Sequence, residues 1–209
     1  MVGRNGTAPL LVKWALAALV AIAAPAQAAG PVTLLFLGDS LGAGFGLQPG
    51  QSIPDRLGAR LGASVAIVNV SVSGDTTAGG LARLDDAIAR HPDAALIELG
   101  ANDALRGFDP KMTFANLDAI LTRLEAARIK VALLGMRAPG NWGAQYQRDF
   151  DAIYPRLAEK HRAPLYPFVL EGVALDPALN QGDGIHPNAR GADRIAEQLA
   201  PFVADFLKR

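Results

Sequence analysis

The sequence predicts an α/β fold, a parallel sheet with helices on both faces, from three observations. Five short apolar runs read as buried strands, at 32–37, 65–70, 94–99, 130–136 and 165–169. Stretches with helical spacing lie between them, and strands alternating with crossovers pack as a parallel sheet covered on both sides. The chain has 209 residues, 50% of them hydrophobic, enough for one domain with a substantial core.

Val32–Leu37 is apolar and partly β-branched, and Gly38 ends it before the polar pair Asp39-Ser40. Gly42, Gly44 and Gly46 are expected to loosen the segment that follows. A serine on a sharp turn at the end of a buried strand is held rigidly with its hydroxyl outward, as a nucleophile requires. Other readings compete. A dinucleotide loop needs a third glycine where Leu47 stands. Gly38-Asp39-Ser40-Leu41-Gly42 matches the G-x-S-x-G elbow of α/β-hydrolases, but there strands carrying half the oxyanion hole precede the serine. The serine could also simply cap a helix.

Gln51–Leu61 reads as a helix with Ile53, Leu57 and Leu61 on one face and Pro54 in its first turn. The second strand ends at Ser71-Val72-Ser73-Gly74-Asp75-Thr76, and one helix carrying Leu81, Leu84 and Ile88 is expected next. Gly74 therefore lies between a strand end and a helix start, with a free N–H or only a turn to make. The third strand has one polar member, Glu98, and leads to Gly100-Ala101-Asn102-Asp103. Asn102 there can offer an N–H to developing charge or cap a turn. Asp109–Arg128 is a helix with Phe114, Leu117, Leu121 and Leu124 on its apolar stripe. The fourth strand ends in the loop Arg137-Ala138-Pro139-Gly140-Asn141-Trp142. The helix over 143–161 contains Pro155, which implies a kink or restart, and Pro167 marks the fifth strand as an edge. The loop 176–187 precedes a closing helix carrying Ile195, Leu199, Phe202, Val203 and Phe206.

In such sheets ligands sit outside the carboxyl ends of the strands, where Ser40, Gly74, Asn102 and the 137–142 loop all fall. A serine nucleophile needs a base, and there are three histidines. His91 and His161 each suit a helix C-terminus. His186 lies in a glycine-bounded loop three residues after Asp183, close enough for the carboxylate to hold its Nδ1–H and turn Nε2 toward Ser40. By itself D-x-x-H also fits a cap beside a solvated histidine.

Formal charge is zero with no basic stripe, which excludes nucleic acid as a partner class. The absence of cysteine excludes disulfides, thiolate catalysis, zinc–thiolate sites and lipoprotein anchoring. Arg4 and Lys13, the apolar stretch Trp14–Ala24 and the small residues of Pro25-Ala26-Gln27-Ala28 read as a signal peptide, 1–28, cleaved after Ala28. The expected product, 29–209, has 18 basic and 20 acidic residues and is exported without a membrane anchor. Nothing in the sequence sets an oligomeric state.

Four blocks, Gly38-Asp39-Ser40-Leu41, Ser73-Gly74-Asp75-Thr76, Gly100-Ala101-Asn102-Asp103 and Asp183-Gly184-Ile185-His186-Pro187, occur in order across the chain. Together they resemble the SGNH hydrolases, the GDSL esterase/lipase family. Ala82-Arg83-Leu84, Leu105-Arg106-Gly107-Phe108 and Ile153-Tyr154-Pro155 are similar to its bacterial periplasmic thioesterase I/lysophospholipase/arylesterase group. The resemblance implies a flavodoxin-like α/β/α sandwich with a five-stranded parallel sheet. It implies Ser40 as nucleophile, His186 as base and then acid, and Asp183 as its orienter. The N–H groups of Ser40 and Gly74 and the amide of Asn102 would form the oxyanion hole. No cofactor and no metal is implied. Leu105, Phe108, Met136, Ala138, Pro139 and Trp142 are expected to line an apolar acyl slot. Ala138 stands where the group often has a bulkier aliphatic residue, so short or aromatic acyl esters are expected over long ones. A carbohydrate O-acetylesterase, with a small polar pocket, and a non-catalytic binding module are the alternatives.

Overall fold

In the computed structural model, residues 1–3 and 30–209 are described; the signal-peptide reading falls almost wholly outside them. The five strands are β1 (Val32–Gly38), β2 (Val65–Asn69), β3 (Ala94–Glu98), β4 (Lys130–Leu134) and β5 (Leu165–Tyr166). They form one parallel sheet in the order β2-β1-β3-β4-β5, with Val32 opposite Val65, Leu34 opposite Ala94, Ala94 opposite Lys130 and Leu133 opposite Leu165. The central strands are apolar along their length because both faces are covered; Leu34–Leu37, Leu96, Ile97, Leu133 and Leu134 are fully buried. The edge strand β5 is only two residues long, because Pro167 cannot extend the ladder.

The helices are α1 (Ser40–Ala43), α2 (Ile53–Leu61), α3 (Thr77–Ala82), α4 (Leu84–Ile88), α5 (Ala101–Leu105), α6 (Pro110–Ala126), α7 (Ala144–Asp151), α8 (Ile153–His161) and α9 (Ala189–Lys208). From β1 the chain crosses outward to β2, then turns back past β1 to β3, β4 and β5. Right-handed crossovers therefore put α2 on one face and α3, α6 and α8 on the other, and α9 packs against α2. The reversal leaves a crevice at the carboxyl ends of β1 and β3, where Ser40 and Asn102 emerge.

Local chemistry explains the boundaries. Ser52 and Asp55 close a capping box at α2. Asp109 caps α6 ahead of Pro110, and Asn188 caps α9. Two expected helices are each interrupted. The one through Leu81, Leu84 and Ile88 breaks at Arg83, whose side chain turns back to the strand ends. The 143–161 helix restarts after Ala152, which puts Pro155 in a first turn where no N–H is needed.

Candidate active site

Ser40 opens a one-turn helix; the bare, glycine-loosened turn expected from sequence is absent. Asp39 makes the helix, because its Oδ1 accepts the N–H of Leu41 at 3.0 Å, and Gly44 ends it at φ 73°. Gly42 lets this turn sit directly on the sheet end, since a Cβ there would collide with Ser71 Oγ and come within 2.7 Å of the Phe36 ring. Asn69 Nδ2 donates to the carbonyl of Gly42 at 2.9 Å and anchors the turn to the end of β2.

Across the crevice, His186 Nε2 lies 2.9 Å from Ser40 Oγ, and His186 Nδ1 lies 2.6 Å from Asp183 Oδ2. Asp183 Oδ1 accepts the N–H groups of Ile185 at 2.9 Å and His186 at 3.0 Å. The His186 N–H, the His186 ring and the Ile185 N–H hold the Asp183 carboxyl down at about 2. An ionised carboxylate only accepts, so Nδ1 carries the proton and the Nε2 lone pair faces the serine hydroxyl. The imidazole lies against Phe45, ring centroids 4.7 Å apart. Gln181 Nε2 donates to the carbonyls of Phe45 at 2.7 Å and Pro187 at 3.0 Å, tying the histidine loop to the serine segment. Sequence reasoning missed Phe45 and Gln181, which have no motif of their own. His91 lies three residues beyond α4, at φ 51°, and His161 is enclosed by Asp118 and Glu125, so neither is the histidine at Ser40.

Three N–H groups are the expected oxyanion donors. Ser40 is the first residue of its helix, so its N–H has no intrahelical acceptor. Gly74 follows β2 at φ 80°, a backbone region that glycine enters without strain. Among the described residues neither N–H donates to a protein group. Asn102, in α5, donates one amide N–H to Asp39 Oδ2 at 3.2 Å. Arg83 sets the spacing of these loops: Nη2 donates to Gly38 O at 3.0 Å, Nε to Asp75 Oδ2 at 2.6 Å, and Nη1 to Val70 O. One guanidinium thus joins the ends of β1 and β2 beside Ser40 and Gly74. Asp103 does the same for the third loop, accepting from Thr77 N at 2.9 Å and Thr77 Oγ1 at 2.5 Å. Sequence reasoning had no role for Arg83 or Asp103.

An apolar groove of about 250 Å³ opens beside the histidine loop, reaching Gly184 and Ile185. Four of the six expected lining residues are in its wall: Leu105, Met136, Ala138 and Pro139. Phe168, Leu170 and Leu175 complete it without having been foreseen. Phe108 and Trp142 are outside it. The Trp142 indole packs over Gly107 and donates to Ala104 O at 2.9 Å, while Phe108 is exposed and its carbonyl accepts from the Tyr146 hydroxyl at 2.9 Å. Among the described residues no three His, Asp or Glu side chains converge as metal ligands, and no helix is long and apolar enough to cross a membrane.

Comparison with known proteins identifies the family. A protein named thioesterase 1/protease 1/lysophospholipase L1 from Escherichia coli (strain K12) is 42% identical over 196 residues, 91% of this chain and 94% of that protein. An arylesterase of Vibrio mimicus is 42% identical over 178 residues, 83% of this chain and 89% of that protein. The psychrotrophic esterase EstA from Pseudoalteromonas sp., solved as inhibited by monoethylphosphonate, superposes with a TM-score of 0.81 at 33% identity, covering 85% of this chain and 99% of its own. The model of the GDSL-like Lipase/Acylhydrolase family matches residues 36–194, from the first strand into the last helix, and the chain belongs to that family.

Proposed function

We propose that this chain is a serine esterase that hydrolyses carboxylic esters, with aryl and short-to-medium acyl groups foremost, and also thioesters or lysophospholipids. The observation that carries the reading is the unbroken Ser40–His186–Asp183 hydrogen-bonded chain, with contacts of 2.9 and 2.6 Å, beside an apolar groove that Gly184 and Ile185 of the histidine loop help to line. Names borne by relatives, thioesterase, lysophospholipase and arylesterase, support the same class.

Ser40 Oγ attacks the acyl carbonyl as His186 Nε2 takes its proton. The carbonyl oxygen becomes an oxyanion that accepts from Ser40 N–H, Gly74 N–H and the free amide N–H of Asn102. Collapse breaks the bond to the alcohol or thiol, which leaves with the proton from His186. Water then repeats the sequence: His186 takes its proton, the hydroxide adds to the acyl carbon, and Ser40 is released carrying the proton. Asp183 stays ionised throughout and stabilises the imidazolium. The apolar lining opposes the small polar pocket that a carbohydrate O-acetylesterase needs. Export by removal of residues 1–28 belongs to this reading and is supported by the sequence alone.

The test is kcat/KM for 4-nitrophenyl esters of increasing acyl length, beside acyl-CoA and lysophosphatidylcholine. Each methylene buried is worth about 0.8 kcal/mol, so kcat/KM should climb about fourfold per carbon while the groove fills and then level off. With only a methyl at position 138, levelling at short length is expected. Activity absent on every ester, or confined to acetylated sugars, would overturn the reading.

A further inference from the structure

Two carboxyl groups lie beneath the nucleophile, and the mechanism above uses neither. Asp39 and Glu98 are both 0% exposed, one beside Ser40 and the other at the end of β3. The parallel register places Gly38 opposite Glu98, and Glu98 Oε2 accepts the Asp39 N–H, so the two residues meet at the strand ends. No Lys or Arg donates to either carboxyl among the described residues. Two adjoining carboxylates in a dry site cannot both be ionised, so the pair holds a proton.

The hydrogen bonds show where it sits. Glu98 Oε2 accepts the N–H groups of Asp39 and Gly42, each at 3.2 Å. Asp39 Oδ1 accepts from Leu41 N at 3.0 Å, and Asp39 Oδ2 from Asn102 Nδ2 at 3.2 Å. Glu98 Oε1 is the one oxygen of the four that receives no N–H, and it is buried. An acidic proton belongs on that oxygen, since an O–H must not face another donor. The electrostatics point the same way. Burial pushes Asp39 up only to about 6, with the Leu41 N–H, the Asn102 amide and nearby His186 resisting, whereas burial and the Asp39 charge push Glu98 well above the carboxylate range.

We propose that Glu98 is a positioning residue: it stays protonated, donates to Asp39, and keeps Asp39 ionised so that Asp39 fixes the Asn102 amide with its second N–H toward the oxyanion. Asp39 then has three tasks that need a carboxylate. It caps the turn that carries Ser40, accepts the hydrogen bond from the Glu98 O–H and holds one Asn102 N–H. With one N–H fixed, the planar amide has a defined direction for the other, the preorganisation an oxyanion donor needs. The inference rests on the reading of Asn102 as such a donor.

The experiment combines infrared spectroscopy with a mutant cycle on the full chain. The difference spectrum between wild type and Glu98→Gln at pH 7 should contain the C=O stretch of a protonated carboxyl, lost in the variant. Glu98→Leu removes the donor and should lower kcat on 4-nitrophenyl acetate by up to about 10²-fold, with KM nearly unchanged. Glu98→Gln, which keeps one acceptor and one donor, should recover at least about tenfold of that loss. In the Asn102→Ala background the Glu98→Leu loss should largely vanish, because groups acting as a unit are not additive. Absence of the band, or its persistence in Glu98→Gln, would overturn the proton assignment. Equal damage from Gln and Leu, or full additivity with Asn102→Ala, would overturn the positioning role. An Asn102→Ala variant with wild-type kcat would strike the oxyanion reading itself, while the infrared band still decides the proton. Where leucine prevents folding, the isosteric Gln variant and its spectrum decide alone.

Discussion

Asp183→Asn separates chemistry from folding, because the two carboxylate oxygens of Asp183 have different tasks. Oδ1 accepts two backbone N–H groups at 2.9 and 3.0 Å, while Oδ2 faces His186 Nδ1 at 2.6 Å. An asparagine that leaves its oxygen at the Oδ1 position keeps the loop but turns its NH₂ to Nδ1. The ring must then accept at Nδ1 and carry its proton on Nε2, against the serine hydroxyl, where it is no longer a base. Flipping the amide restores the tautomer but sets NH₂ against two N–H groups, at about 1–3 kcal/mol each. Two such losses, about 2–6 kcal/mol, hold the productive population down by about 30- to 10⁴-fold at 1.36 kcal/mol per decade. The imidazolium also loses its counter-charge, which places the fall in kcat near the top of that range, about 10⁴-fold as in other triads. The assay is kcat on 4-nitrophenyl acetate beside a thermal melt, with Tm moving less than about 4 °C. The wild-type contribution of this carboxylate to stability is present above about pH 4 and lost as pH falls through about 2, because its folded value is depressed; the variant lacks that dependence. A variant within tenfold of wild type and unchanged in Tm would refute the tautomer argument.

Asn102→Ala should lose about 10²–10³ in kcat with little change in KM, as for a contact made mainly in the transition state; a change confined to KM would make it a substrate contact. Arg83→Met should cost about 2–3 kcal/mol in urea unfolding, less than a fully buried pair because the guanidinium side chain is 21% exposed. It should also lower kcat about tenfold as the Ser40 and Gly74 loops drift apart. His161→Ala should leave kcat near wild type yet lower Tm, because the 5% exposed ring joins α8 to Asp118 and Glu125 of α6; inactivation of a folded variant would reopen the choice of base.

The sheet was legible because each strand is a short, largely apolar run ended by glycine, proline or a polar turn, and the run length separates it from the helices. Ser40, His186 and Asp183 were legible for a different reason. The acid and base share one turn of chain, so no long-range register is needed to pair them. What required register was missed: Glu98 stood out as a polar residue in an apolar strand, but only the pairing of Gly38 with Glu98 puts it under Asp39. Arg83 was hidden because its three acceptors are two backbone carbonyls and Asp75, brought together by β1 and β2. Trp142 and Phe108 were assigned to the groove on apolarity alone. Composition does not reveal that the indole N–H donates to Ala104 O and that Phe168, Leu170 and Leu175 complete the groove wall in place of Trp142 and Phe108.

The claim at the centre of this account is that Ser40 Oγ becomes covalently acylated. A fluorophosphonate mimics the acyl group but cannot be released by water at a useful rate, so it records which oxygen attacks. Mass spectrometry after treatment should find one adduct per chain, on the peptide containing Ser40, with activity lost in parallel and no adduct on Ser40→Ala. A folded, active chain that takes no adduct, or one inactivated by an adduct on Ser71 or Ser73, would contradict it.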